Sequence, residues 1–238
     1  MAGKEVVVLW LLAVLGCGYG GKVLVWPADN SHWLNMDYIL QQLVARGHEV
    51  TVVIPSCFLI LDPSQPSPYK FEVVEVPMTR KEVADLLDEA FYFWIYKQRK
   101  QHIWEVFYQI REVMFNMSYA NKMICKEMLK NEALLERLRE SAFDVFLIDP
   151  LLPGGELFAE KLGIPFVYTF RFSLGNTVER LCGGLPAPPS YVPALMSRLT
   201  DRLSFTERLL NTIVYTVMDI LYHRIFGAEW DQFYSDVL

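Results

Sequence analysis

Residues 22–26 (KVLVW) form a short apolar run without polar alternation, the pattern of a strand covered on both faces in a parallel sheet. Pro27 ends it. Asn30 or Ser31 can cap a following helix in which Leu34, Tyr38, Ile39, Leu43 and Val44 recur at helical spacing up to Arg46. Gly47 suits the position just past that helix, and residues 49–54 (EVTVVI) supply a second strand that Pro55 closes. Strand, helix and strand in this order make one right-handed βαβ unit.

Residues 62–69, with prolines at 63, 66 and 68, read as a loop before a third strand at 70–76 (KFEVVEV). The stretch from 80 to 140 is helical in several pieces, because no proline interrupts it but its apolar stripe is discontinuous. A buried strand at 144–148 (DVFLI), a helix at 156–162 ended by Gly163 and a strand at 164–170 (IPFVYTF) repeat the βαβ order. A proline-rich loop at 183–193 leads to an amphipathic helix around 203–225, with Leu209, Leu210, Ile213, Val214, Val217, Ile220 and Leu221 on one stripe. The pattern predicts an α/β fold, one doubly wound parallel sheet of Rossmann-like type spanning 21–238, without internal repeats. No apolar stretch approaches the roughly 18 residues that a membrane span needs.

Composition and charge narrow the function classes. At 238 residues and 53% hydrophobic content the chain can bury a substantial core, so it is a folded domain and not a disordered one. A net charge of −6, with no cluster of Lys and Arg interleaved with aromatics, argues against nucleic acid as a partner. Residues 1–20 read as a cleavable secretory signal: Lys4 supplies the charge, residues 6–15 the apolar run, and glycines at 16, 18, 20 and 21 the small residues. A buried strand over 6–15 is the competing reading, disfavoured because another strand begins at 22. Cleavage is expected between Cys17 and Gly21. Once Cys17 leaves, Cys57, Cys125 and Cys182 remain at spacings that match no metal motif, so they read as buried small hydrophobes and no metal is expected. In a lumenal chain, Asn116-Met117-Ser118 is an N-glycosylation sequon; otherwise it is an unused triplet on a helix face.

Ligands of open parallel sheets bind beyond the carboxyl ends of the strands, which directs attention to His32, just past the first strand, and Asp149, just past the 144–148 strand. If those strands are neighbours, the two side chains open onto one crevice, where a carboxylate orients an imidazole and stabilises its protonated form. The plainer alternative is a capping histidine and a turn-forming aspartate before Pro150. The turn after the first strand lacks the glycine pattern of dinucleotide binders, and neither a P-loop nor a nucleophile-elbow motif occurs. His48, His102 and His223 lack partners at metal-ligand spacing and read as structural or solvated. Phe91, Phe93 and Trp104, within an aromatic run, are candidates to wall a pocket for a flat lipophilic molecule, with core packing the competing role.

The segments GGKVLVWP (20–27), SHWLNM (31–36), RGHEVTVV (46–53), FDVFLIDP (143–150), GIPFVYTFRFS (163–173) and PAPPSYVPALMSRLTDRLSFTERLLN (186–211) resemble the UDP-glucuronosyltransferases, family 2 in particular. The resemblance implies the amino-terminal, acceptor-binding domain of a GT-B glycosyltransferase of the endoplasmic reticulum lumen. It implies a small lipophilic acceptor such as a phenol or steroid, UDP-glucuronic acid as co-substrate, no further cofactor, and homo- or hetero-oligomers as partners. By the same resemblance His32 is the catalytic base and Asp149 its partner in an inverting displacement. The donor domain, the membrane span and the cytosolic tail of the family lie beyond the segment matched here. Many family 2 members also carry a Cys where Gly154 stands. Two further readings stand beside an active transferase: a non-catalytic truncated isoform that binds acceptors or modulates full-length enzymes, and a carrier of lipophilic ligands.

Overall fold

The computed structural model describes residues 20–97, 103–171, 177–181, 183–194, 197 and 199–238. Strands β1 (Lys22–Trp26), β2 (Glu49–Pro55), β3 (Lys70–Val74), β4 (Val145–Ile148) and β5 (Phe166–Tyr168) form one parallel sheet in the order β3-β2-β1-β4-β5. The chain winds outward from β1 through β2 to β3, then returns past β1 to lay down β4 and β5. The winding therefore reverses between β1 and β4, the place where a doubly wound sheet opens a crevice.

Both faces of the central strands are covered, which is why their sequences show no polar alternation. On one face Val23, Val25, Val50, Val52, Ile54 and Leu147 pack against Trp33, Met36 and Leu40 of α1 (Ser31–Ala45). On the other, Leu24, Trp26, Phe146 and Ile148 are buried, and the Trp26 ring lies 5.0 Å from that of Phe158 in α5 (Gly155–Leu162). Each such side chain contributes about 1.5–3 kcal/mol on burial. Helix α1 stops as the sequence predicts: Gly47 has φ 89°, its N–H reaches the Val44 carbonyl at 2.9 Å, and the His48 N–H reaches that of Leu43 at 3.1 Å.

The long helical stretch resolves into α2 (Arg80–Tyr92), a π-helical turn (Phe93–Lys97), α3 (Ile103–Lys130) and α4 (Glu132–Glu140). Thr79 and Glu82 cap α2 reciprocally, and Asn131 restarts the helix by accepting the Leu134 N–H at 3.0 Å. The third strand ends at Val74, not at 76, because the Val76 N–H turns away to the Ser56 hydroxyl at 3.2 Å. The fifth strand is likewise shorter than 164–170, since the Ile164 N–H closes the end of α5 on the Ala159 carbonyl at 3.0 Å.

The chain divides into two compact units, Met1–Thr169 and Phe170–Leu238, and the sheet lies wholly in the first. The second holds α6 (Thr177–Leu181), α7 (Phe205–Leu221), a π-helical segment (Tyr222–Gly227) and α8 (Ala228–Val237). Helix α7 starts on a capping box of Ser204 and Glu207. Its burial departs from the predicted stripe: Leu209, Leu210, Ile213, Val217 and Ile220 are exposed, whereas Asn211 and Tyr215 are buried. The reason is the proline-rich loop, which the Asn211 side chain holds through the Ala194 N–H and the carbonyls of Pro189 and Val192. Among the described residues, no helix is long and apolar enough to cross a membrane.

Candidate active site

β1 delivers the chain to Pro27, and after a four-residue turn α1 begins, placing His32 in its first turn above the carboxyl end of the sheet. β4 ends at Ile148, opposite Trp26 in register, so Asp149 emerges beside the start of that turn. The Asp149 N–H donates to the Trp26 carbonyl at 2.9 Å and fastens the two strand ends together.

His32 Nδ1 and Asp149 Oδ2 lie 2.7 Å apart, with side chains only 7% and 4% exposed. Asp149 Oδ1 accepts the Leu151 N–H at 3.0 Å, which fixes the plane of the carboxyl group. An ionised carboxylate can only accept, so Nδ1 is the donor in this contact. With Nδ1 as donor, a neutral imidazole can take a proton at Nε2 while a neighbouring charge steadies the cation formed.

The other candidates are dispersed. Phe91 is exposed at 54% near the end of α2, while Phe93, two residues later, is 3% exposed and packs inward. Trp104 lies on α3, but its side chain falls outside the described residues. Asn116 is exposed on α3. His48 accepts the Gly21 N–H at 2.9 Å through Nδ1 and so anchors the start of β1. His102 and Cys182 lie outside the described residues, as does the expected signal apart from Gly20. Cys57 and Cys125 are buried free thiols, both pushed up by burial, Cys57 to about 11. Among the described residues, no group of three or more His, Cys, Asp or Glu side chains is placed to hold a metal ion.

Two features escape a reading of the sequence. Gly154 has φ 117°, and a Cβ there would lie 2.4 Å from the Cys125 sulfur, so this position has no room for a side chain beside Cys125. Asp29, which as a sequence signal is only a turn former before a helix, accepts the backbone N–H groups of Asn30, Leu59 and Ile60 at 2.7, 2.6 and 3.3 Å.

The family model described as UDP-glucoronosyl and UDP-glucosyl transferase matches residues 21–238. The chain belongs to this family. Human UDP-glucuronosyltransferase 2B17 is 43% identical over 234 residues, covering 97% of the chain and 44% of the relative. Human UDP-glucuronosyltransferase 2B15 is 44% identical over 235 residues, again 97% of the chain and 44% of the relative. For mouse UDP-glucuronosyltransferase 2A1 the figures are 38% over 229 residues, 95% and 43%. The chain thus spans less than half the length of the curated relatives it matches. Among solved structures, Phytolacca americana UGT2 complexed with UDP-2fluoro-glucose and pterostilbene matches at 17% identity and a TM-score of 0.41, over 74% of the chain and 37% of that structure's chain. His32 and Asp149 lie in the SHWLNM and FDVFLIDP segments of the matched region.

Proposed function

We propose that this chain is the acceptor-binding half of a UDP-glucuronosyltransferase and that His32 is the base which activates the acceptor. The observation that carries the reading is the buried 2.7 Å contact between His32 and Asp149 at the reversal of the sheet. A phenol, with a pKa of about 10, is a weak nucleophile at neutral pH, so its proton must leave as its oxygen attacks. The acceptor O–H proton passes to His32 Nε2, the oxygen forms a bond to the anomeric carbon of UDP-glucuronic acid, and the carbon–oxygen bond to UDP breaks with its electron pair on UDP. Asp149 holds the Nδ1 proton throughout and stabilises the imidazolium. UDP is a good leaving group, so no second carboxyl group is needed to protonate it, in contrast with glycosidases. Attack from the face opposite UDP inverts the anomeric centre.

The remaining assignments belong to the same reading. Residues 1–20 direct the chain to the endoplasmic reticulum lumen, Asn116 stands exposed for a glycan, and Phe91, exposed near the end of α2, offers a ring to a lipophilic acceptor. A chimera tests the proposal: residues 21–238 joined to the carboxyl-terminal half of human UDP-glucuronosyltransferase 2B17, given UDP-glucuronic acid and a panel of phenols and steroids. The expected product is a glucuronide whose anomeric configuration, read from the proton coupling constant, is opposite to the donor's. A product of retained configuration would rule out the single displacement.

A further inference from the structure

Asp29 binds the two loops that flank the His32 site. Its Oδ1 accepts the N–H of Asn30 at 2.7 Å and of Ile60 at 3.3 Å, and its Oδ2 accepts the N–H of Leu59 at 2.6 Å. Its own carbonyl accepts the His32 N–H at 3.3 Å. One residue thus touches the backbone of the proposed base and the backbone of the loop that leaves the neighbouring strand β2. Arg80 holds that same loop from the carbonyl side, at Ser56 (3.4 Å) and Leu61 (3.1 Å).

The start of α1 explains why such a clamp is needed. Three residues with capping side chains, Asp29, Asn30 and Ser31, precede His32, yet the N-cap residue Asn30 makes no side-chain cap and no acidic residue lies in the first turn. Asn30 instead adopts φ 57° and ψ −130°, a conformation that costs a non-glycine residue energy and persists only where its surroundings enforce it. The enforcing group is the Asp29 carboxylate on the N–H of Asn30 itself. Helix start, strained turn and second loop are therefore fixed together, and His32 is two residues from the strained position.

We infer that Asp29 is a positioning residue for His32, holding the helix start so that Nδ1 meets Asp149; the inference rests on the reading of His32 as the base. Asp29 touches no reacting atom in this account. It acts through the geometry of the His32–Asp149 contact, where a displacement of about 1 Å is enough to cost on the order of 100-fold in rate.

The test reads the imidazole directly. Long-range ¹H–¹⁵N spectra of the 238-residue chain, compared among wild type, Asp29→Ala, Asp29→Asn and Tyr69→Phe, report the His32 tautomer. Tyr69→Phe serves as the structural control, since it removes a bond from the Tyr69 hydroxyl to Asp37 farther along α1 and leaves the turn alone. The expected result is a Nδ1–H tautomer in wild type and in Tyr69→Phe, and loss of that signal toward the Nε2–H form in Asp29→Ala. Asp29→Asn, which keeps one acceptor oxygen but sets an NH₂ against one of the loop N–H groups, should give a smaller loss and carries the test if the alanine variant does not fold. In the chimera the two Asp29 variants, but not Tyr69→Phe, should lose about 10–100-fold in kcat with KM for UDP-glucuronic acid within about twofold. An unchanged tautomer and kcat in a folded Asp29 variant would overturn the inference. Failure of the base reading would show separately, as turnover retained by His32→Ala.

Discussion

Asp149 and His32 are 117 residues apart in the chain and 2.7 Å apart in space. The contact exists because β4, laid down after the whole α2 to α4 excursion, returns to pair with β1, so that the residues just past each strand share one edge of the sheet. Neither strand alone implies it.

Asp149→Asn tests the charge in that contact. The amide can still accept from Leu151 but turns a donor or an uncharged acceptor toward Nδ1, so the tautomer is no longer enforced and the imidazolium is no longer stabilised. Turnover of the chimera should fall on the order of 10²–10⁴-fold while thermal unfolding stays within a few degrees, measured by steady-state kinetics and circular dichroism.

Asn30→Gly tests the strained turn. Glycine adopts φ near 57° without a steric penalty, and no side-chain cap is lost because Asn30 makes none. The variant should gain about 1 kcal/mol in urea unfolding. A loss of stability would mean that the Asn30 side chain has a role the turn geometry does not reveal.

Alkaline pH should weaken the fold through Cys57. Burial raises the folded thiol to about 11, opposed by a hydrogen bond from its own backbone and then, to a lesser degree, helped by the Asp29 charge and opposed by Arg80. Because the folded value lies above the unfolded one, about 8.5, the contribution to stability is complete below that pH and is lost as pH rises toward 11. Urea titrations across this window should show a steeper decline for wild type than for Cys57→Ala, and iodoacetamide should leave Cys57 unmodified in the native chain at pH 7.

The 238-residue chain on its own should transfer no sugar. Fixing the anomeric carbon near the acceptor oxygen is worth roughly 7–11 kcal/mol in favourable cases, and base strength does not replace it. Mass spectrometry of incubations with UDP-glucuronic acid and phenols should find no glucuronide above the level of a His32→Ala control. Product above that level would mean that the donor site lies within these residues.

Much of the fold is legible where punctuation is strong. Pro27, Gly47 and Pro55 bracket β1, α1 and β2, and Gly163 ends α5, because each residue has a backbone preference that few contexts override. Where the end of an element depends on a distant partner, the sequence is silent: Val76 leaves the sheet for the Ser56 hydroxyl, and no local signal announces this. The face of α7 is misread for a related reason. Periodicity puts its leucines and isoleucines inward, but they stay exposed, and the loop secured by Asn211 packs on the side of Asn211 and Tyr215 instead. His32 and Asp149 are each visible as polar residues after strands, yet their contact depends on strand order, which a single sequence does not carry. Asp29 looks like any turn former, and only the strained Asn30 beside it reveals a clamp.

The central claim, that His32 takes the acceptor proton, is tested most directly by the kinetics of His32→Ala in the chimera with a phenol acceptor. General base catalysis contributes about 10²–10⁴-fold, so kcat should fall by that order while acceptor binding, measured by calorimetry, stays close to wild type. A variant that turns over at nearly the wild-type rate would contradict the account.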